Sequence, residues 1–243
     1  TVTITGTTGG NFEALDISST VSTDVFDAEP HCSGAQNVVI ANATEGSTQS
    51  IAQATNLILT LDLSGSMKGA KLANSIQAMN NVIDQYESHG GVKVQFTTFA
   101  TDSGTSSAWL TAAEAKAALN ALVVFTGDAQ YTNYEAAIAH TVLGDSNDVG
   151  TTTDVRPPAD QTVAYFVTDG VPNREYDSSN NVTSVSGDAV DASYVTQWKD
   201  FVGSIVNHLY VVAVETKVTD PDLLRLTTGV TALDGGTVQI VEV

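Results

Sequence analysis

Asp62, Ser64 and Ser66 stand at alternate positions around Gly65, directly after the apolar run Asn56-Leu57-Ile58-Leu59-Thr60-Leu61. In a tight turn, one carboxylate and two hydroxyls at this spacing converge on one point, and the glycine relieves crowding between them. All three are hard oxygen donors, so they suit Mg2+, Ca2+ or Mn2+ and not a thiophilic metal. Taken singly, each also has an ordinary reading, Asp62 as a helix cap and the serines as turn residues.

Two later segments carry matching groups: Thr132 within Tyr131-Thr132-Asn133-Tyr134-Glu135, and Asp169 within Phe166-Val167-Thr168-Asp169-Gly170. Asp-x-Ser-x-Ser after a buried strand, followed in order by these two, resembles the metal-ion-dependent adhesion site (MIDAS) of a von Willebrand factor A domain. The resemblance implies that Asp62, Ser64, Ser66, Thr132 and Asp169 hold one divalent cation, Mg2+, Ca2+ or Mn2+. Around them it implies a ligand-binding rim of Gly65, Met67, Lys68, Tyr131, Asn133 and Gly170. The implied activity is adhesion, not catalysis. With two carboxylates and otherwise neutral donors, the ion stays underneutralised and accepts an anionic oxygen from a partner.

The segment Thr168-Asp169-Gly170-Val171-Pro172-Asn173 and the polar loop after it also resemble A-type domains of bacterial repeats-in-toxin (RTX) adhesins. That likeness implies a secreted module on a bacterial cell surface. Its partners would be a protein or glycan on a host or neighbouring cell, together with adjacent modules of the same chain. Two other readings compete: a spacer whose ion only stabilises the fold, and a metal-dependent hydrolase. The hydrolase needs a general base, and apart from Asp169 no acidic residue or histidine is placed beside these loops by sequence.

The elements that must position these residues follow a regular rhythm. Asn56–Leu61 reads as a buried strand ending at Asp62. Leu72, Ile76, Met79, Ile83 and Tyr86 form one apolar helical stripe, which Gly90-Gly91 ends. Val92, Val94 and Phe96 alternate along a strand, and Thr111 with Glu114 forms a capping box for an Ala-rich helix. Thr132 is expected to open the next helix, and Gly144–Asp160 to form a surface loop. Val163–Val167 reads as a central strand, Val171–Gly187 as a loop, and Val190–Ile205 as a long helix. Leu209–Val214 is a further buried strand, and Asp220-Pro221 starts a short helix. Repeated strand-then-helix units predict an α/β fold with a doubly wound, mainly parallel sheet flanked by helices, as in Rossmann-like A domains. Residues 56–243 are assigned to it. Residues 1–55 lack a helical period and read as a β-rich N-terminal extension, its Thr1–Thr5 a candidate partner for the alternating tail Thr237–Val243.

Composition narrows the function classes. The 243-residue chain carries 28 acidic and 9 basic residues, for a formal charge of -19, so nucleic acid and anionic lipid surfaces are repelled. It holds no apolar run long enough to insert into a membrane. The acidic excess suits a calcium-rich setting, with additional Ca2+ on loops bearing Asp102, Asp128, Asp145, Asp148 and Asp154, although none shows a ligand spacing. Cys32 is the single cysteine, which excludes an internal disulfide. Beginning at Thr1 without methionine, the chain is expected to be a piece of a longer protein. An EF-hand starting at Asp62 fails because Ala73 occupies the twelfth position, and no phosphate-binding loop follows Gly65. His31, His89, His140 and His208 are scattered singly, and Trp109 and Trp198 read as core. Lys68 and Lys71 read as a solvated helix face.

Overall fold

The computed structural model describes residues 53–102, 104–145, 155–185, 189–217 and 219–243. The elements are β1 (Thr55–Asp62), α1 (Ala70–Gly90), β2 (Val92–Phe99), β3 (Gly104–Ser106), β4 (Leu110–Thr111), α2 (Ala112–Asn120) and α3 (Tyr134–Asp145). They continue with β5 (Gln161–Thr168), β6 (Arg174–Tyr176), β7 (Val182–Ser184), α4 (Ala192–Ile205), β8 (His208–Ala213), α5 (Pro221–Arg225) and β9 (Val238–Glu242). The main sheet runs β3-β2-β1-β5-β8-β9, with β4 also on β2. The β2, β1, β5, β8 and β9 ladders are parallel, while β3 and β4 add antiparallel pairs at one edge. This is the expected doubly wound α/β architecture.

β1 is the central strand because it can be nothing else: all eight of its residues are buried. A strand covered on both faces reads as a continuous apolar run, and Leu57–Leu61 is that run. Alternate residues divide between two cores. Leu57, Leu59 and Leu61 face α1 and α2 with Leu72, Met79, Ile83, Ala115 and Leu119. Ile58, with Phe166 of β5, joins Tyr134, Ile138, Trp198, Phe201 and Leu223 of the opposite layer, built from α3, α4 and α5. On that side Thr60 Oγ1 meets Thr141 Oγ1 of α3 at 2.8 Å, so a buried hydroxyl is satisfied by its counterpart.

The helices start where their chemistry allows. Gly69, at φ 84°, turns the chain between the loop after β1 and α1, a conformation that a side chain would strain. α2 carries the full capping box, Thr111 accepting from Glu114 N while the Glu114 carboxylate accepts from Thr111 N. α3 is capped by Asn133, whose Oδ1 accepts from Glu135 N and Ala136 N at 3.0 and 3.2 Å. Asp220 caps α5 ahead of Pro221.

Some boundaries differ from expectation. Thr132 does not open α3 but precedes its cap. The segment Val171–Gly187 is not all loop: β6 and β7 form a two-stranded antiparallel hairpin within it. Three-residue strands of mixed polarity are too short to show a period, which is why the pattern did not reveal them or β3 and β4. The surface loop begins only after α3, and residues 146–154 lie outside the described residues. So do residues 1–52 of the β-rich extension, together with the pairing of Thr1–Thr5 with the tail. The tail itself, as β9, pairs in parallel with β8. Among the described residues, no helix is long and apolar enough to cross a membrane.

Phe166 sits at the centre of a ring cluster, with centroids 5.3 Å from Phe99, 5.4 Å from Tyr134 and 6.0 Å from Trp198. Phe166→Ala is therefore expected to cost about 3–5 kcal/mol of unfolding free energy, measured by urea denaturation. A loss below about 1 kcal/mol would show that these rings do not anchor the core.

Candidate metal centre

The sheet order places a crevice where the chain reverses direction across it, between β1 and β5. Loops at the carboxyl ends of two such strands form the ligand site of open α/β sheets. Asp62 is the last residue of β1 and Asp169 follows β5. Thr132 enters from a third loop, ahead of α3.

These loops are fastened to one another by backbone. Gly65 N donates to Gln130 O at 2.8 Å, joining the first loop to the second. Thr132 O accepts from Asn173 N and Arg174 N at 2.9 and 3.0 Å, and Thr132 N donates to Asn173 Oδ1 at 3.1 Å, joining the second to the third. Tyr134 OH donates to Gly170 O at 2.6 Å from beneath.

Side chains of the five sequence-predicted ligands then meet. Ser64 N donates to Asp62 Oδ1 at 2.7 Å, and Thr168 Oγ1 donates to Asp62 Oδ2 at 2.7 Å. The Ser64 and Ser66 hydroxyls lie 3.0 Å apart. Ser66 Oγ donates to Asp169 Oδ1 at 2.7 Å, and Lys71 Nζ donates to Asp169 Oδ2 at 2.7 Å. Thr132 Oγ1 faces the same space: a methyl group built on Gly170 would stand 3.7 Å from it and 3.9 Å from Ser66 Oγ. Asp62, Ser64, Thr132 and Asp169 are 0%, 1%, 3% and 8% exposed, whereas Ser66 is exposed. The cradle is thus closed beneath and open at Ser66.

Of the expected rim, Lys68 is exposed, and Gly65, Tyr131 and Gly170 are half-buried around this opening. Met67 and Asn133 are not rim residues, since both are fully buried. The turn after Ser66 directs Met67 into the core beside Leu72, and Asn133 is turned inward to cap α3. Lys71 is not on a solvated face either: its ammonium pairs with Asp169 and lies 3.4 Å from Glu215 Oε2. Neither that pair nor the Thr168 hydroxyl could be read from local spacing, because each depends on which strands are neighbours. Glu135, also missed, is buried and accepts from Tyr176 N and Asp191 N, which holds the hairpin against α3. Arg174 stacks 3.6 Å over the Tyr131 ring at the rim.

Electrostatics sets the two carboxylates apart. Asp169 has a cationic partner, whereas among the described residues Asp62 has only neutral ones. Burial pushes Asp62 from its ordinary 3.8 up to about 6, opposed by the hydrogen bonds from Thr168 and Ser64. The Asp169 carboxylate hydrogen-bonded to Lys71 raises the lysine in turn. The donor set of two carboxylates and three hydroxyls suits a hard divalent cation, and such an ion would supply the charge that Asp62 lacks. Among the described residues there is no cluster of three or more His, Cys, Asp or Glu side chains. The loop aspartates Asp102 and Asp128 therefore join no such group, and Asp148 and Asp154 lie outside the described residues.

A doubly wound sheet with this crevice at its switch point defines an open α/β domain that binds its ligand at the carboxyl ends of its strands. Residues 56–196, more than half of the chain, match the von Willebrand factor type A domain model, and the chain belongs to that family. No curated protein sequence matches it. Among solved structures it is similar to the PilB minor pilin from Streptococcus sanguinis, at 13% identity and TM-score 0.53, covering 82% of this chain and 59% of that one. It is also similar to proximal thread matrix protein 1 from the mussel byssus, at 14% identity and TM-score 0.49, over 79% of this chain and 42% of that one. The chain thus spans less than two thirds of the length of either. At such identities the likeness extends to the fold.

The sign of the Asp62 shift gives a test. Its folded value lies above the unfolded one, so the metal-free fold binds the proton more tightly, and this group's stabilising contribution is present below about pH 4 and lost as pH rises through about 6. By pH 7 the loss is about 3 kcal/mol. Asp62→Asn, measured without divalent ions, is expected to melt higher than the parent at pH 7, with the difference closing toward pH 4. A variant that melts lower at pH 7 would show that the carboxylate is not under strain.

Proposed function

We propose that this domain is a divalent-cation-dependent adhesion module of a large secreted bacterial surface protein, of the RTX-adhesin kind, with a MIDAS-type site. Asp62, Ser64, Ser66, Thr132 and Asp169 are the donors, directly or through water. The observation that carries this reading is the fully buried Asp62 carboxylate, whose hydrogen-bond partners are neutral, facing a cradle of hydroxyls and a second carboxylate. A buried anion without a countercharge is costly, and a cation in the cradle removes that cost.

The ion would supply a Lewis-acidic point for an anionic or sugar oxygen of the partner. The residues of the chain do the rest. The backbone ties between loops hold the donors in place, and the exposed side at Ser66 admits the incoming oxygen. In a chain of charge -19, the ion, Lys68 and Arg174 form a local positive spot on a repelling surface, which favours a partner offering a few oxyanions over a densely acidic one. The partner is a protein or glycan on a host or neighbouring cell, with adjacent modules of the same chain beside it. The likeness to a protein described as a minor pilin supports a cell-surface setting. Both carboxylates of the site are engaged as ligands or supports, which leaves no free base beside the ion among the described residues and supports a binding role over hydrolysis.

Glycan and peptide arrays probed with and without EDTA test the reading. Capture is expected to need Mg2+, Ca2+ or Mn2+ and to vanish in Asp62→Ala and Asp169→Ala, with a melting temperature that rises on adding the ion to the parent alone. Capture indifferent to chelation and to both substitutions would overturn it. A rise in melting temperature without any capture would instead mark a metal-stabilised spacer.

A further inference from the structure

Lys71 is one of only nine basic residues in the chain, yet it is spent on a carboxylate of the candidate metal centre. Its stem leaves the first turn of α1, and its ammonium reaches Asp169 Oδ2 at 2.7 Å while Ser66 Oγ holds Oδ1 at 2.7 Å. The two oxygens of Asp169 are therefore divided: one turns toward the hydroxyl cradle, the other toward the lysine. Glu215, just past β8, steadies the ammonium from outside at 3.4 Å, and its side chain is 67% exposed.

Resting on the metal reading above, we propose that Lys71 sets the strength of the cation site: it stands in for part of the ion's charge when the site is empty, and it weakens the ion's hold when the site is full. Two cations sharing one carboxylate repel each other, and the Asp169 side chain is fully buried, so this repulsion is poorly screened. Half of the donor charge is thereby cancelled in advance. The bound ion is left more electron-poor, hence held less tightly by the protein and better able to draw an oxyanion from outside. Lys71 also has a positioning effect on the Asp169 rotamer, but a single hydrogen bond at the mouth of a site is worth less than a full charge beside a dication.

Calorimetric titration of metal-free protein with Mg2+ and with Mn2+ tests this, comparing the parent with Lys71→Met and Lys71→Arg. The lysine side chain is 25% exposed, so its removal opens no core cavity; Lys71→Gln serves as a second neutral variant should the methionine fail to fold. The neutral variant is expected to bind Mg2+ at least about tenfold more tightly than the parent. Lys71→Arg, which keeps the charge, is expected to stay within about threefold of the parent. Without metal the neutral variant should melt lower, since Asp169 loses its countercharge, and its gain on adding Mg2+ should exceed that of the parent. Acetate should bind the Mg2+-loaded neutral variant more weakly than the loaded parent. Neutral variants that bind Mg2+ no better than the parent would overturn the role of Lys71 and leave the metal reading standing. Neither ion taken up by parent or variants would overturn both.

Discussion

The constraint on which the structure turns is the burial of a charge at the end of its central strand. β1 has no exposed residue, and its last position is a carboxylate. Among the described residues that group has two neutral hydrogen bonds and a cradle of hydroxyls from other loops, but no cationic side chain. Everything around it follows from keeping an anion where an aliphatic residue would be more stable: the turn through Ser64 and Ser66, the Thr168 hydroxyl, the fastening of Gln130 to Gly65 and of Asn173 to Thr132. A fold tolerates such a position when something else supplies the missing charge.

The second carboxylate is treated differently. Asp169 stands just past the end of the neighbouring strand and receives Lys71, so the two acids of one site differ in their state of compensation. This asymmetry is created by α1, whose first turn carries the Lys71 ammonium to Asp169 and within 3.4 Å of Glu215, just past β8. The same helix buries Leu72, Met79 and Ile83 against the sheet, so the lysine's reach is fixed by core packing and not by the loop it serves.

Much of this was legible in the sequence, for physical reasons. Leu57–Leu61, Val163–Val167 and Leu209–Val214 are apolar throughout because parallel strands are covered on both faces, and α1 shows its stripe because one side is wet. Asp62, Ser64 and Ser66 stand out because a tight turn brings alternate residues together, and the structure brings Thr132 and Asp169 to the same cradle. What stayed hidden depends on pairing at a distance. Lys71 looked like an ordinary solvated lysine because its partner lies 98 residues away in sequence. The resemblance put Met67 and Asn133 on the rim because they stand beside Ser66 and Thr132 in the chain, yet a turn and a cap point them inward. The hairpin of β6 and β7 is too short and too polar to announce itself.

Because the candidate site is continuous with β1, any pull exerted there runs along the middle strand of the sheet. β1 is clamped by parallel ladders to β2 from Thr55 to Asp62 and to β5 from Thr55 to Leu61. A tug along its axis must shear both ladders at once instead of peeling one bond after another. A grip placed at that strand's tip therefore inherits the mechanical strength of the whole sheet.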